Sequence, residues 1–336
     1  MADLRAVGRR LGPTGDERGQ IILIAAFAMA VTFVTLALVV NSAIFTENLA
    51  SRGETSGSDD ALLVRHEVET ATGSAIEYAN THNTSTHDTL AESLRDSVQT
   101  ISAVTTEQHA TGGKVVTVEG PTAIENGTQI RDESPGGSSF ENASSGGATE
   151  TDWTVASDIA ETRAYRMNVS GVNRTDNFGG PADEQLRLIV TGNGGNTWTM
   201  NVTRDDSANE YRIGVENATG EQGVCAVDAS ADYFHVDLTE GLVGGEPCPA
   251  LSFAEGLSTP YDVAYENGDE VTGNYSLVVN DVSSDVRSNN DDLASSSSSD
   301  DPYWDEAIYA AEVTYRYDGP DLTYETTVRA APGEPA

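Results

Sequence analysis

From Ile21 to Ile44 the chain carries no charged residue, and only Thr32, Thr35, Asn41 and Ser42 interrupt an otherwise apolar run. At about 1.5 Å of rise per residue, a helix over these positions spans about 36 Å, more than the roughly 30 Å hydrocarbon core of a bilayer. The run therefore predicts one membrane-crossing helix. A removable secretory signal has a shorter apolar stretch and a small-residue cleavage site. This run passes instead into Thr46, Glu47 and Asn48 with no A-x-A pattern, which predicts retention. Arg5, Arg9, Arg10 and Arg18 precede it, whereas Glu47, Glu54, Asp59 and Asp60 follow with Arg52 the nearest base. The excess of arginine before the helix predicts a cytoplasmic N-terminus, with the bulk of the chain outside the cell.

The remaining chain is long enough for one large domain or two modest ones with true cores. Its formal net charge is −36, from 54 acidic and 18 basic residues, and Lys114 is the only lysine. Such a surface repels nucleic acid, because neutralising phosphate needs clustered Lys and Arg. Diffuse acidity with scarce lysine fits a protein kept soluble in multimolar salt, where the Debye length falls to about 3 Å and self-repulsion is screened. The composition predicts a halophile.

Two cysteines, Cys225 and Cys248, lie in the part placed outside the membrane, where oxidation to a structural disulfide is expected. Sequons of the form N-x-[S/T] begin at Asn83, Asn126, Asn142, Asn168, Asn173, Asn201, Asn217 and Asn274. All fall on the predicted outer side, as N-glycosylation of a surface protein requires.

Immediately before the apolar run stands Asp16-Glu17-Arg18-Gly19-Gln20-Ile21. This stretch resembles the class III signal of archaeal type IV pilin-like proteins, which a prepilin peptidase cuts on the cytoplasmic side of the helix. The resemblance implies cleavage between Gly19 and Gln20, with the helix kept as an assembly stem. Residues 18–53 also look like the start of a family of uncharacterised haloarchaeal membrane-anchored proteins with pilin-like N-termini. That likeness implies a haloarchaeal source and a surface location, and implies no defined activity. Ile24 stands fifth in the presumed mature chain, where major bacterial pilins carry Glu, so a minor or pseudopilin role fits better than a major one. The other reading of the same residues is an uncut signal anchor.

Beyond a polar break over Ser51–Ser58, Val64, Val68, Ala71 and Ala75 form one helical stripe, and Leu90, Leu94, Val98, Ile101 and Val104 form a second. Ser85 or Thr86 is placed to cap the second helix. After Gly112 the period changes to two, as in Tyr165-Met167-Val169, Leu186-Leu188-Val190, Trp198-Met200-Val202 and Tyr211-Ile213-Val215. Gly192–Asn196 reads as a hairpin turn between the second and third of these sets. Hairpins are also predicted across Glu266–Asp269 and Asp318–Asp321. The Gly- and Ser-rich segments 134–148 and 289–301 read as exposed loops.

The fold class expected is α+β: a leader (1–20), a transmembrane helix (21–44), an extracytoplasmic helical stem (45–110) and a mainly antiparallel, sandwich-like β domain (111–336). Five scattered histidines, two isolated cysteines and the lack of any nucleophile elbow, Walker loop or Asp-x-Asp-x-Asp-Gly loop predict no catalytic, cofactor or metal site. Asn289–Asp292 and Asp300–Glu306 offer carboxylates but read as solvated acidic runs. Two functions fit. One is a pilin-like or minor-pilin component packing against other such subunits through its membrane helix. The other is a monomeric, signal-anchored, glycosylated cell-surface protein that binds carbohydrate or another envelope protein.

Overall fold

A computed structural model describes residues 16–82, 86–143, 149–172, 185–230, 233–282, 286, 292–295, 300–320 and 322–335. Within the first helix it describes side chains at 27, 29–37, 39, 40 and from 58 onward. That helix, α1 (Asp16–His82), is continuous. It therefore runs through Ser51–Ser58, where the sequence predicts a break. The stretch holds Gly53 and Gly57 but no proline, and a glycine lowers helix stability by only about 1 kcal/mol. By compactness the chain divides into Met1–Asp60 and Ala61–Ala336.

In the first unit Phe27, Met29, Val31, Phe33, Val34, Leu36, Val39 and Val40 are all exposed. Thr35 Oγ1 turns back onto the helix, donating to Val31 O at 3.0 Å and Thr32 O at 2.9 Å.

The second unit begins with the last turns of α1, where Ala61, Val64, Val68, Ala75, Ile76 and Ala79 recur at helical spacing and are buried. The helix α2 (His87–Ala110) is capped by Thr86, whose side chain accepts from Thr89 N at 3.2 Å. Leu90, Leu94 and Val98 are buried against the β structure, whereas Val104, expected on the same stripe, is 47% exposed. The contact face turns because hydroxyls take over from apolar groups at its C-terminal end. Ser102 Oγ accepts from Val118 N at 3.1 Å, and Thr106 Oγ1 donates to Val116 O. Residues 61–110 thus belong to the same compact unit as the strands, where the sequence predicts a separate stem.

The strands follow in order: β1 (Val115–Asp132), β2 (Ser138–Ser139), β3 (Trp153–Ile159), β4 (Thr162–Val172), β5 (Leu186–Gly192), β6 (Thr197–Asp205), β7 (Glu210–Asn217) and β8 (Gly220–Asp228), then β9 (Phe234–Asp237), β10 (Leu242–Val243), β11 (Glu246–Pro247), β12 (Tyr261–Glu266), β13 (Val271–Val279), β14 (Ala294–Ser295), β15 (Tyr303–Asp318) and β16 (Thr323–Ala330). One sheet runs β11-β10-β9-β4-β13-β1-β15-β14, with β16 beside β15 and β2 beside β13; the other runs β3-β12-β5-β6-β7-β8. All pairs are antiparallel except β14 with β15. Residues of both sheets, among them Tyr165, Met167 and Leu277 from the first and Leu188, Trp198 and Met200 from the second, share one core. This is the sandwich-like arrangement that inward-facing alternation demands. A second core joins both helices to Val116, Val118, Val313, Tyr315, Tyr317 and Val328.

The long pair β1 and β15 serves both cores, with bulges between Glu119 and Ala123 and between Glu125 and Asn126 that reset which face each residue meets.

Three local expectations differ. Tyr261–Tyr265 and Tyr275–Val279 do not form a hairpin, because β12 pairs with β3 and β5 while β13 pairs with β1, β2 and β4. The 3-10 turn Gly268–Glu270 between them carries the chain from one sheet to the other. The segment 134–148 is not simply an exposed loop. Phe140 is fully buried, stacks near Tyr265 and Tyr275, and its carbonyl accepts from Trp153 Nε1 at 2.9 Å. One aromatic side chain suffices to pull a polar stretch into the core. In 289–301, Leu293 is buried in the same way and β14 pairs with β15, while residues 289–291 and 296–299 lie outside the described ones.

Candidate functional site

The most conspicuous surface feature is the stretch of α1 between Phe27 and Val40, where exposed apolar side chains encircle the helix. Burying an exposed Val, Leu, Phe or Met contributes about 1.5–3 kcal/mol, so eight such side chains in water forgo on the order of 10 kcal/mol. That is comparable with the whole stability of a typical domain. Among the described residues no helix is long and apolar enough to cross a membrane. The membrane span expected over Ile21–Ile44 lies partly outside them, since side chains at 21–26, 28, 38 and 41–44 are not described. Gly19 and Gln20 fall within α1, with their side chains likewise outside the described residues.

Cys225 on β8 and Cys248, just after β11, form a disulfide with Cα atoms 6.0 Å apart. It ties the outer strand of the six-stranded sheet to the β9-β10-β11 end of the other. Beside it opens a cleft of about 470 Å³ lined by Glu240, Pro247, Pro249, Leu251, Phe253 and Glu255, which brings no histidine or thiol to its carboxylates.

A second cleft, lined by Ser134, Ser138, Glu141, Asn142, Asp300 and Asp301 among others, lies in the expected loop segments. Two carboxylates, Asp301 in its lining and Asp132 beside it, are held by serines. Asp132, only 1% exposed, accepts from Ser138 Oγ at 2.7 Å and Ser134 N at 3.3 Å, while Asp301 accepts from Ser134 Oγ at 2.8 Å. Burial raises the Asp132 pKa to about 6 despite these donors. Nearby, Tyr275 is buried with its hydroxyl lacking a hydrogen-bond partner among the described residues. Among the described residues no group of three or more His, Cys, Asp or Glu is placed to hold a metal ion.

The histidines do not converge. His66, His82 and His235 are exposed, and His109 stands at the end of α2. His87 bridges Glu306 (3.1 Å) and Gly127 O (3.1 Å) as a link between α2 and the β1-β15 pair.

The sequons divide sharply. Asn83 and Asn173 lie outside the described residues. Asn126 sits at the β1 bulge. Asn142 is buried and donates to Asp292 at 2.8 Å. Asn168 and Asn201 lie within strands with buried Oδ1 atoms, and Asn274 donates to Ser134 O at 3.0 Å. Of the six described, Asn126 is exposed within β1, and Asn217, partly covered, stands at the β7-β8 turn with exposed residues after it.

Several buried charges escaped the sequence reading, among them Asp305, which lies in a run read as solvated and is paired with Arg131. Arg163 is fully buried and pairs with no carboxylate among the described residues; it donates to Tyr309 O (2.7 Å), Pro332 O (2.8 Å) and Ile308 O (2.8 Å). Desolvation lowers its pKa to about 10. Asn80 meets the same strand, its Oδ1 accepting from Ile308 N and its Nδ2 donating to Ile308 O. Together these side chains cap the β15 edge where no strand runs alongside. The signal was the strand phase, since Arg163 falls on the same parity as inward Tyr165, Met167 and Val169.

Residues 15–145 match a family of unknown function (DUF7261), a stretch covering less than half of the chain. It takes in α1, α2, β1 and β2 and attaches no activity to them. No curated protein and no solved structure matches the chain.

Proposed function

We propose that this chain is a membrane-anchored, surface-exposed, non-enzymatic structural protein of a halophile, acting as a minor-pilin-like subunit whose helix packs in the bilayer against its neighbours. One observation carries the reading. A continuous helix presents Phe27, Met29, Val31, Phe33, Val34, Leu36, Val39 and Val40 without cover, and Thr35 hides its hydroxyl against its own backbone. Lipid tails and the helices of other subunits supply the apolar surroundings that a helix apolar all round requires, and back-bonded threonine is at home in both. The arginines before the run and the acids after it support an inside N-terminus and an outer Ala61–Ala336 unit. A disulfide and serine-held carboxylates support a scaffold rather than a catalyst.

The test is mass spectrometry of the protein extracted from its native membrane. A mature N-terminus at Gln20, with lateral homotypic crosslinks through residues 27–40, supports the subunit reading. An intact segment 1–19 without such crosslinks replaces it by the monomeric, signal-anchored, glycosylated binding protein. Recovery in the soluble fraction without detergent overturns both.

A further inference from the structure

We infer that Asn217 is the N-glycan acceptor among the six described sequons, and that the fold itself withholds the other five; this rests on the Ala61–Ala336 unit lying outside the cell. A transferase must reach the carboxamide and the hydroxyl two residues later together. In a strand those two side chains share a face about 7 Å apart, held in the ladder. At the β7-β8 turn they close on each other. Asn217 Oδ1 accepts from Thr219 Oγ1 at 2.7 Å and Thr219 N at 2.9 Å, with Gln222 Nε2 adding a third bond at 2.9 Å. Three donors converging on one oxygen, one of them a backbone N–H, fix which end of the amide is which. They leave Nδ2 as the free end, with no hydrogen bond to a described residue, and residues 218–222 around it are exposed except for partly covered Asn217 itself and Gly223 beyond.

Elsewhere one half of each motif is spent. Asn274 Nδ2 is bonded to Ser134 O, and Asn142 Nδ2 to Asp292. The sequon hydroxyl of Asn126 belongs to Thr128, which is fully buried and donates to Asp281 O at 2.7 Å. That of Asn168 belongs to Ser170, which donates to Thr272 O at 3.2 Å, and that of Asn201 to buried Thr203. Modifying any of these five after folding requires freeing a carboxamide or hydroxyl that the fold has engaged or buried.

The co-reactant is a glycosyl donor activated as a phosphate or pyrophosphate ester. Nδ2 attacks the anomeric carbon, and the new C–N bond forms as the C–O bond to phosphate breaks. The leaving phosphate takes that electron pair, and one amide proton passes to a base of the transferase.

The experiment is glycopeptide mass spectrometry on the full-length protein from its native membrane, for the wild type and for Asn217→Gln, Thr219→Ala and Thr219→Ser, with external protease on intact cells run in parallel. The expected result is a glycan mass on the Asn217 peptide, lost in Asn217→Gln and Thr219→Ala, kept in Thr219→Ser, and missing from the Asn142 and Asn274 peptides. A bare Asn217 peptide in protein that external protease digests overturns the inference and leaves the outer location standing. Glycan on Asn142 or Asn274 also overturns it, since the fold would not be the selector. A bare peptide in protease-protected protein removes the location and the inference together.

Discussion

Tyr275 and Asp132 are neighbours in the β13-β1 ladder, and each is buried at a cost the fold carries. The Tyr275 hydroxyl has no partner among the described residues, and a buried hydroxyl left unbonded costs about 1–3 kcal/mol. Tyr275→Phe keeps the ring contacts with Phe140 and Tyr265 while deleting the unpaired group. The expected outcome is unchanged or raised thermal stability, and a fall of several degrees would show that the hydroxyl is bonded. Asp132 carries a pH dependence of definite sign. Its folded pKa of about 6 lies above the ordinary carboxylate value of 3.8, so between these the folded state binds the proton more tightly. Its contribution to stability is present in full at low pH and is lost as pH rises through about 6, a change of at most about 3 kcal/mol for a two-unit shift. Asn at this position keeps one oxygen to accept from Ser134 N and offers Nδ2 as a donor to the Ser138 hydroxyl, without the charge. Asp132→Asn should therefore gain on the wild type between pH 5 and pH 7 in chemical unfolding at fixed high salt, and a gap independent of pH would refute the assignment.

Edges decide how elements assemble in this fold, because a sheet edge left open is an invitation to pair with another chain. Here polar side chains occupy those edges where strands do not: Ser102 and Thr106 of α2 on β1, Asn80 and Arg163 on β15. Ser102→Ala with Thr106→Val removes both bonds from the β1 edge while keeping the helix. It should cost about 2–4 kcal/mol in unfolding free energy and speed amide exchange at Val118 before it does so in β6. Equal exchange in both strands would mean the hydroxyls only fill space. Both helical stripes were legible in sequence, since Val64, Val68 and Ala75, then Leu90, Leu94 and Val98, repeat with the helical period, and so were β5, β6 and β7 with the Gly192–Asn196 turn between the first two. Partner choice was not legible. Tyr261–Glu266 and Val271–Val279 have the alternation and turn residues of a hairpin, yet alternation fixes only which residues face a core and says nothing of which sheet supplies the neighbour. The disulfide rested on cysteine count and compartment, whereas the distinction among sequons needed the hydrogen bonds of Asn142, Asn217 and Asn274, which are tertiary.

At the scale of the whole chain, 54 acids face 18 bases, so each cation serves several carboxylates. Arg329 lies within 4 Å of Glu125, Glu161 and Glu334, and Arg166 is shared in the same way by Glu77, Asp237 and Glu240. These pairs are partly exposed, so each is worth little singly. Two effects oppose each other when salt is removed. The clusters strengthen, because the Debye length grows from about 3 Å at 1 M to about 10 Å at 0.1 M. Over the same range, repulsion among the unpaired acids extends to groups that were screened from one another. With three acids to every base the repulsion reaches more pairs, so it wins. Moving the protein from multimolar KCl to 0.1 M KCl should lower its melting temperature. Arg329→Gln leaves Glu125, Glu161 and Glu334 facing one another, so its cost should be larger in dilute buffer than in high salt. Melting curves of wild type and variant at both concentrations test the two statements together. A variant whose deficit is the same at both salts would show that Arg329 acts by packing alone, and a wild type that melts higher in dilute buffer would show that its ion clusters outweigh its net charge.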